Sequence, residues 1–138
     1  MTREECIAFL TEKPHTAKIT TVRPDGRPHA AAVWFYVEDG MLYFTTWHAT
    51  VKAKNLRHNP NVSIVVDDEQ PPFSFVQIEG TAQITESDPD MLNWSTRIAG
   101  RYMGDQAEAY GKRNAVEGEW LIRVPIDKII GEKDLANW

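Results

Sequence analysis

The chain has 138 residues, a formal net charge of -5 and a pI near 5.3, which argues against nucleic acid as its main partner. Hydrophobic residues make up 42% of the chain, enough for a buried core in a single domain over residues 1–138. No apolar run reaches the ~20 residues that span a bilayer, and the single cysteine, Cys6, excludes an internal disulfide. The acidic N-terminal segment is unlike a signal peptide, so we expect a cytoplasmic protein without a membrane partner.

The chain opens with a predicted helix over residues 2–13, where Thr2 and Glu5 have capping-box spacing and Pro14 stops the helix. Segments rich in β-branched and aromatic residues follow, bounded by turn residues such as Pro-Asp-Gly. The predicted strands are residues 18–22, 28–37, 41–46, 61–67, 73–86 and 119–124. A short final strand over residues 126–131 also fits the pattern, and the tail, residues 132–138, is predicted to be an exposed arm or a dimer contact.

Three shorter helices are predicted between these strands. Thr50 is an N-cap candidate for a basic helix that Pro60 must end. Residues 87–90 carry a cap candidate, a proline and acids, which is typical of a helix start, and Gly104 ends that helix. Residues 105–113 are predicted to form a second short helix.

The connections between the strands indicate the architecture. Tight turns join the first three strands, which requires antiparallel neighbours. Only residues 87–118 are long enough for a crossover, so a doubly wound parallel sheet is excluded. Gly80 lies inside the fifth strand, where an isolated glycine suggests a bulge or bend, so this strand can belong to two sheets. The pattern predicts a mainly β protein, an antiparallel six-stranded barrel with flanking helices.

The segment over residues 47–60 concentrates positive charge in an otherwise acidic chain, which favours an anionic ligand at this place. Hydroxyl groups and the free backbone N–H groups of a helix N-terminus lie beside that charge. The basic residues are Lys52, Lys54, Arg57 and His58, and the hydroxyl residues are Thr45, Thr46 and Thr50. We predict that this junction holds a phosphate or carboxylates, while a solvated basic helix face remains the alternative.

The aromatic run Val33-Trp34-Phe35 is a second candidate surface, which antiparallel neighbours would bring close to Thr45 and Thr46. Flat apolar side chains suit a planar heteroaromatic ring, and core packing explains the same residues equally well. The four histidines lack metal-ligand spacing, so no metal site is expected. Glycine-rich phosphate loops and a nucleophile elbow are absent from the sequence, so no catalytic side chain is assigned.

Three runs in this order resemble the pyridoxamine 5′-phosphate oxidase-like split-barrel family. They are PDGRPHAAAVWFYVEDGMLYFTT, VKAKNLRHNPNVSIVVDDE and FVQIEGTAQI, at residues 24–46, 51–69 and 75–84. They look closest to the branch of flavin- and deazaflavin-dependent oxidoreductases that use coenzyme F420. The resemblance implies a split β-barrel of the FMN-binding type, as a homodimer with the cofactor at the subunit interface.

The resemblance also implies roles for particular residues. Lys52 would face the phosphate-bearing tail of the cofactor, with Asn55 in the same run and Lys54 as a second cation nearby. The ring would lie along Val33-Trp34-Phe35 and Thr45-Thr46. Phe73 would reach in from the partner subunit, and Gln77 and Trp94 are further candidates for that wall.

The activity implied by the resemblance is hydride transfer between reduced coenzyme F420 and an unsaturated small-molecule substrate. The alternatives are an FMN-dependent oxidoreductase like pyridoxamine phosphate oxidase, and a non-catalytic protein that binds a flavin or tetrapyrrole. Thr50 stands where many relatives carry an arginine, which weakens the case for a long polyanionic tail. Residues 134–138 replace the arginine- and histidine-bearing substrate segment of true pyridoxamine phosphate oxidases, so vitamin B6 oxidation is not expected.

Overall fold

The computed structural model describes residues 1–137; Trp138, the end of the predicted C-terminal arm, lies outside the described residues. The helices are α1 (Arg3–Glu12), α2 (Val51–His58), α3 (Met91–Met103) and α4 (Ala107–Asn114), with a 3-10 turn at Gly104–Gln106. The strands are β1 (Ala17–Val22), β2 (Pro28–Val33), β3 (Tyr36–Glu38), β4 (Met41–Trp47), β5 (Asn61–Asp68), β6 (Ser74–Thr81), β7 (Gln83–Thr85), β8 (Glu119–Pro125) and β9 (Lys128–Glu132). None of the helices in this part of the chain is long and apolar enough to cross a membrane.

Two antiparallel sheets share the strands of residues 1–137, in the orders β2-β1-β5-β6-β9 and β3-β4-β8-β7. The chain changes sheet four times: β4 reaches β5 through α2, whereas β2 leads directly into β3, β6 into β7 and β8 into β9. Counting each of the three directly joined pairs as one strand leaves the six strands that the sequence predicts. The hydrophobic core fills the space between the sheets, where Phe44, Ile19 and Ile78 are fully buried.

The fifth predicted strand does change sheets, but its bend is not at Gly80. The break comes at Ala82, whose amide donates to the carbonyl of Pro60 at 2.8 Å. Gly80 lies inside β6, where an added Cβ would be 2.8 Å from Val124 Cγ1 and 3.0 Å from the carbonyl oxygen of Pro125. The glycine is therefore required because β6 and β8 approach each other closely, and the predicted bend at this residue was wrong.

The predicted helix ends are partly confirmed. Thr2 and Glu5 form both bonds of a capping box, and the Thr50 hydroxyl accepts from the amide of Ala53 at 3.2 Å. The predicted start of the third helix was wrong, because residues 87–90 form a turn and the helix begins at Met91. In that turn the Asp88 carboxylate accepts the amide hydrogen of Asp90 at 2.8 Å.

The predicted C-terminal arm is tied back to the barrel over its described residues. The amide of Leu135 donates to the carbonyl of Phe73 at 3.0 Å, and that of Ala136 to the carbonyl of Pro72 at 2.8 Å. The side chains of this segment are nevertheless exposed. The segment is thus placed where it can contribute to a surface around Phe73.

Candidate functional site

A cavity of about 330 Å³ opens where the two sheets meet α2, α3 and α4. Four of the residues that the sequence singled out line it, namely Val33, Trp34, Thr45 and Lys52. The remaining lining residues are Thr16, Ala32, Ile98, Asn114 and Glu119. We call this space the Trp34 cavity; it combines a flat aromatic side chain with one cationic and one acidic group.

The aromatic wall of the Trp34 cavity is fixed from behind. The indole of Trp34 stacks on the Tyr102 ring, with centroids 4.9 Å apart and planes 6° from parallel, and Tyr110 lies 6.1 Å away. The Tyr102 hydroxyl donates to the carbonyl of His15 at 2.8 Å and accepts from the amide of Phe35 at 3.2 Å. Because α3 holds Trp34 in this way, the cavity presents a rigid, flat apolar face.

The polar wall brings together residues from β4, α2 and β8. Thr45 and Glu119 lie on the same face of neighbouring strands, since Thr45 pairs with Leu121 and Glu119 with Trp47. Burial raises the pKa of the Glu119 carboxyl, against the opposing effects of a hydrogen bond from Thr45 and of the Lys52 charge. Burial lowers the pKa of the Lys52 ammonium, and the Glu119 charge opposes that shift.

Lys52 lies in the first turn of α2, where backbone N–H groups have no partner inside the helix. It forms no ion pair with any residue in the described part of the chain. A partly buried ammonium that makes no direct ion pair is unfavourable, and an anionic ligand in the Trp34 cavity would relieve that cost. The geometry is therefore that of an anion site beside a flat apolar wall.

Six predicted site residues do not line this cavity; Thr50 caps α2, and Phe35, Thr46 and Asn55 are buried. Phe35 is 0% exposed; its ring lies under the Arg101 guanidinium at 4.5 Å, so its side chain belongs to the core. Thr46 is 2% exposed, and its hydroxyl is 2.9 Å from that of Thr50, which caps α2. Asn55 is 3% exposed and packs against β1. We therefore assign these three buried side chains to holding the fold around the site.

Asn55 offers a direct test of that assignment, because its Nδ2 donates to the buried hydroxyl of Thr21 at 3.0 Å. Replacing Asn55 with alanine is expected to lower the free energy of unfolding by about 1.5 kcal/mol, since Thr21 loses its buried donor. Urea unfolding of Asn55→Ala, Thr21→Ala and the double variant measures the coupling, which we expect at about 1 kcal/mol. Strictly additive losses would contradict a shared hydrogen bond.

Other predicted residues lie outside the Trp34 cavity. Lys54, with the largely buried Asn55 beside it, lines a second cavity of about 370 Å³ on the opposite side of α2. Phe73 is 40% exposed and lies beside Leu135. Arg57 forms an ion pair with Glu86 and its guanidinium lies over the ring of Trp120. The Nδ1 atom of His48 lies 3.1 Å from the carbonyl oxygen of Gly118. Arg57 therefore does not extend the anion site, as its place in the basic segment had suggested.

Glu119 and Asn114 were missed as site residues. In the sequence Glu119 is an acid at the first position of an apolar strand, and most acids in that position are exposed to solvent. Glu119 lies near Lys52 because of the register between β4 and β8, which no local sequence pattern encodes. Residues 102–110 were expected near the substrate wall without a defined position, and in the structure Tyr102 packs behind Trp34.

Comparison with known proteins gives consistent matches. A profile of the family described as pyridoxamine 5′-phosphate oxidase matches residues 2–128. A pyridoxine/pyridoxamine 5′-phosphate oxidase from Microcystis aeruginosa is 29% identical over 123 residues, which cover 83% of this chain and 55% of that protein. The chain thus spans about half the length of this curated relative.

Two solved structures are similar over nearly their whole length. A conserved hypothetical protein from Mycobacterium tuberculosis has a TM-score of 0.82 and 26% identity, over 100% of this chain and 89% of that one. An F420 reductase has a TM-score of 0.72 and 27% identity, over 89% of this chain and 94% of that one. The predicted split-barrel fold is confirmed by these likenesses together with the sheet topology.

Proposed function

The chain belongs to the pyridoxamine 5′-phosphate oxidase family, whose members are flavin-binding oxidoreductases, and on that premise we propose that it is an oxidoreductase using coenzyme F420. In the proposed reaction an unsaturated small molecule is reduced by hydride transfer. The observation that carries the proposal is Lys52, an unpaired and partly buried cation in the same cavity as the flat face of Trp34. The likeness to an F420 reductase at 27% identity supports the choice of cofactor.

The residues of the Trp34 cavity fit a flat redox cofactor with an anionic tail. Trp34 offers an apolar plane, Thr45 a hydroxyl, and Lys52 with the N-terminus of α2 a place for a phosphate. When bound, the cofactor supplies the hydride chemistry. The chain's own residues then bind and orient it, and the apolar wall excludes water from one face.

The second cavity favours coenzyme F420 over FMN. It gathers the cations Arg23, Arg27 and Lys54 with a single carboxylate, Asp25, which pairs with Arg27 at 2.8 Å. FMN ends in one phosphate, whereas the deazaflavin continues into a poly-carboxylate tail. A phosphate at the N-terminus of α2 would leave that tail beside these cations, which offsets the missing arginine at Thr50.

Members of this family are typically dimers. We infer the same here, because the five-stranded sheet exposes Ile130 at 57% and the turn before β6 exposes Phe73 at 40%. A second copy would cover both side chains and bring Phe73 towards the partner's Trp34 cavity. Sedimentation velocity of the purified chain tests this, and a monomer at micromolar concentration would contradict it.

An FMN-dependent oxidase is the second candidate, favoured by the curated Microcystis relative. Parallel fluorescence titrations with F420 and FMN separate the two. We expect F420 to bind at least tenfold more tightly, and the double variant Arg23→Ala/Arg27→Ala to lose about tenfold in F420 affinity, or about 1.4 kcal/mol for two exposed charge contacts. FMN affinity should not change, because FMN has no tail for these arginines.

The control for that variant is Lys112→Ala, which removes an exposed cation on α4 that pairs only with Glu108. Tighter binding of FMN, or equal losses for both cofactors in the double variant, would favour the FMN-dependent enzyme. Stopped-flow oxidation of the reduced cofactor by cyclohexenone or a quinone then separates an enzyme from a carrier. Tight binding without turnover of any acceptor favours the carrier.

A further inference from the structure

Glu119 is the carboxylic acid of the Trp34 cavity, and among residues 1–137 no other acid lines that space. It is the first residue of β8 and lies opposite Trp47 on β4. The binding scheme proposed above assigns roles to Trp34, Thr45 and Lys52 but none to Glu119. A half-buried acid in a ligand cavity calls for a chemical explanation.

The backbone holds Glu119 in place. The residue before it, Gly118, has φ 94°, and an added Cβ there would lie 2.8 Å from the Trp47 ring and from His48 Nδ1. The carbonyl of Gly118 accepts from the amide of His48 at 2.9 Å. The start of β8 is therefore clamped against the end of β4, which fixes where the Glu119 side chain enters the cavity.

Few ionisable groups face this carboxyl. Lys52 approaches from α2, Thr45 contributes a hydroxyl from β4, and α4 contributes only the uncharged Asn114. His48 is engaged with Gly118 through Nδ1. Burial outweighs these partners and raises the pKa of Glu119, so its proton is retained to higher pH than on an exposed glutamate.

We propose that Glu119 is the proton donor for the substrate in the reduction assigned above, and this inference rests on that proposed function. Reduction of a conjugated C=C–C=O group needs a proton, and a hydride at the β carbon; the hydride would come from the reduced coenzyme, which is oxidised by two electrons. The new C–H bond forms as the π bond breaks, and the electron pair moves to the carbonyl oxygen. The O–H bond of Glu119 breaks and its proton goes to that oxygen, giving an enol that returns to the saturated ketone in water.

The carboxylate that remains lies beside Lys52 and Thr45, which stabilise its charge until water returns a proton. Lys52 would thus stabilise two negative charges, that of the bound cofactor and that of the Glu119 carboxylate after proton transfer. A structural alternative is that Glu119 only balances the charge of Lys52. The two roles differ in what Glu119→Gln does, because the amide keeps the shape but can neither donate this proton nor carry charge.

The test uses single-turnover oxidation of saturating reduced F420 by cyclohexenone, followed by stopped flow. Glu119→Gln is expected to slow the reaction about 10²-fold, in the usual range for general acid catalysis. The wild-type rate should fall as pH rises through the raised pKa of Glu119, and this fall should be absent in Glu119→Gln. The Kd for F420 should stay equal where Glu119 is protonated, and should become smaller at higher pH, where Glu119→Gln removes a negative charge beside Lys52.

A second measurement is independent of turnover. In protein labelled with ¹³C at the glutamate carboxyl carbons, one signal should titrate above the others, and Glu119→Gln should remove it. If Glu119→Gln kept the wild-type rate and pH profile, the inference would be overturned while the proposed function would stand. The same follows if no glutamate signal titrates above the others. A wild-type protein that neither binds F420 nor oxidises its reduced form would instead remove the proposed function, and the inference with it.

Discussion

Replacing Lys52 with alanine is expected to weaken the binding of F420 and of FMN by about 1.5–3 kcal/mol, which is about 10- to 150-fold. The loss is large because Lys52 is partly buried and forms no ion pair within residues 1–137, and the only carboxyl in its cavity, that of Glu119, keeps its proton to raised pH, so a cofactor phosphate gains a charge-assisted contact. Lys52 is half-buried in the first turn of α2, where the cap bond of Thr50 remains intact in the variant. Fluorescence titration measures the affinity, and thermal unfolding checks that the fold survives.

Two variants serve as controls for Lys52→Ala. Lys52→Arg keeps the charge and should recover part of the affinity. Lys54→Ala removes a cation from the opposite side of α2 and should weaken F420 binding by less, with no effect on FMN. Equal affinities in Lys52→Ala and the wild type would remove Lys52 from the site and leave the basic helix as a solvated surface.

The Lys52 ammonium also predicts how cofactor affinity depends on pH. Burial lowers its pKa, and only the charged form attracts an anion. Affinity should therefore hold at lower pH and fall as pH rises through the Lys52 pKa, a fall that Lys52→Ala lacks. The pH dependence assigned to Glu119 appears in the rate at saturating cofactor, so the two groups can be told apart.

Local signals in the sequence were sufficient for α2 and its surroundings. Thr50 as a cap, Pro60 as a stop and the position of Lys52 near the helix start all follow from residues close together in the chain. The crossing of the fifth strand between sheets was also visible from its length. What these signals could not supply was the orientation of each side chain once the strands were paired.

Thr45 and Thr46 illustrate that limit. Consecutive strand residues point to opposite faces, so only one of the two could line the cavity, and no local pattern favours one threonine over the other. In β4, Thr45 faces the Trp34 cavity, whereas Thr46 is buried against the cap of α2. The prediction for Phe35 was wrong for a related reason. At the break between β2 and β3 the Phe35 side chain points into the core, whereas Trp34 lines the cavity.

Helix geometry explains how α2 can serve two cavities. Residues two apart on an α-helix differ by about 200° in direction, so Lys52 and Lys54 point to opposite sides of it. Lys52 lines the Trp34 cavity, and Lys54 lines the cavity with Arg23 and Arg27. A cofactor with a phosphate and a longer acidic tail can use both sides of this one short helix, and FMN can use only one.

The rigidity of the aromatic wall depends on Arg101, and replacing it with methionine is expected to lower the free energy of unfolding by about 3 kcal/mol. Its guanidinium donates to the carbonyls of Phe35 at 2.6 Å, Leu10 at 2.8 Å and Lys13 at 2.9 Å. These bonds tie α1 and α3 to the break that carries Trp34. Methionine preserves part of the packing over Phe35 but leaves three carbonyls without this donor.

Urea unfolding without cofactor measures this loss, and Arg97→Met is the matched control one turn earlier on α3. Arg97 forms an exposed ion pair with Glu38 at 3.1 Å, so its replacement should cost less than about 1 kcal/mol. Arg101→Met should also weaken cofactor binding at a temperature where it is fully folded, because Trp34 is no longer fixed from behind. Equal urea midpoints for Arg101→Met and Arg97→Met would contradict this prediction. Tyr102 alone would then hold the break between β2 and β3, and the flat wall of the cavity would not depend on the hydrogen bonds of Arg101.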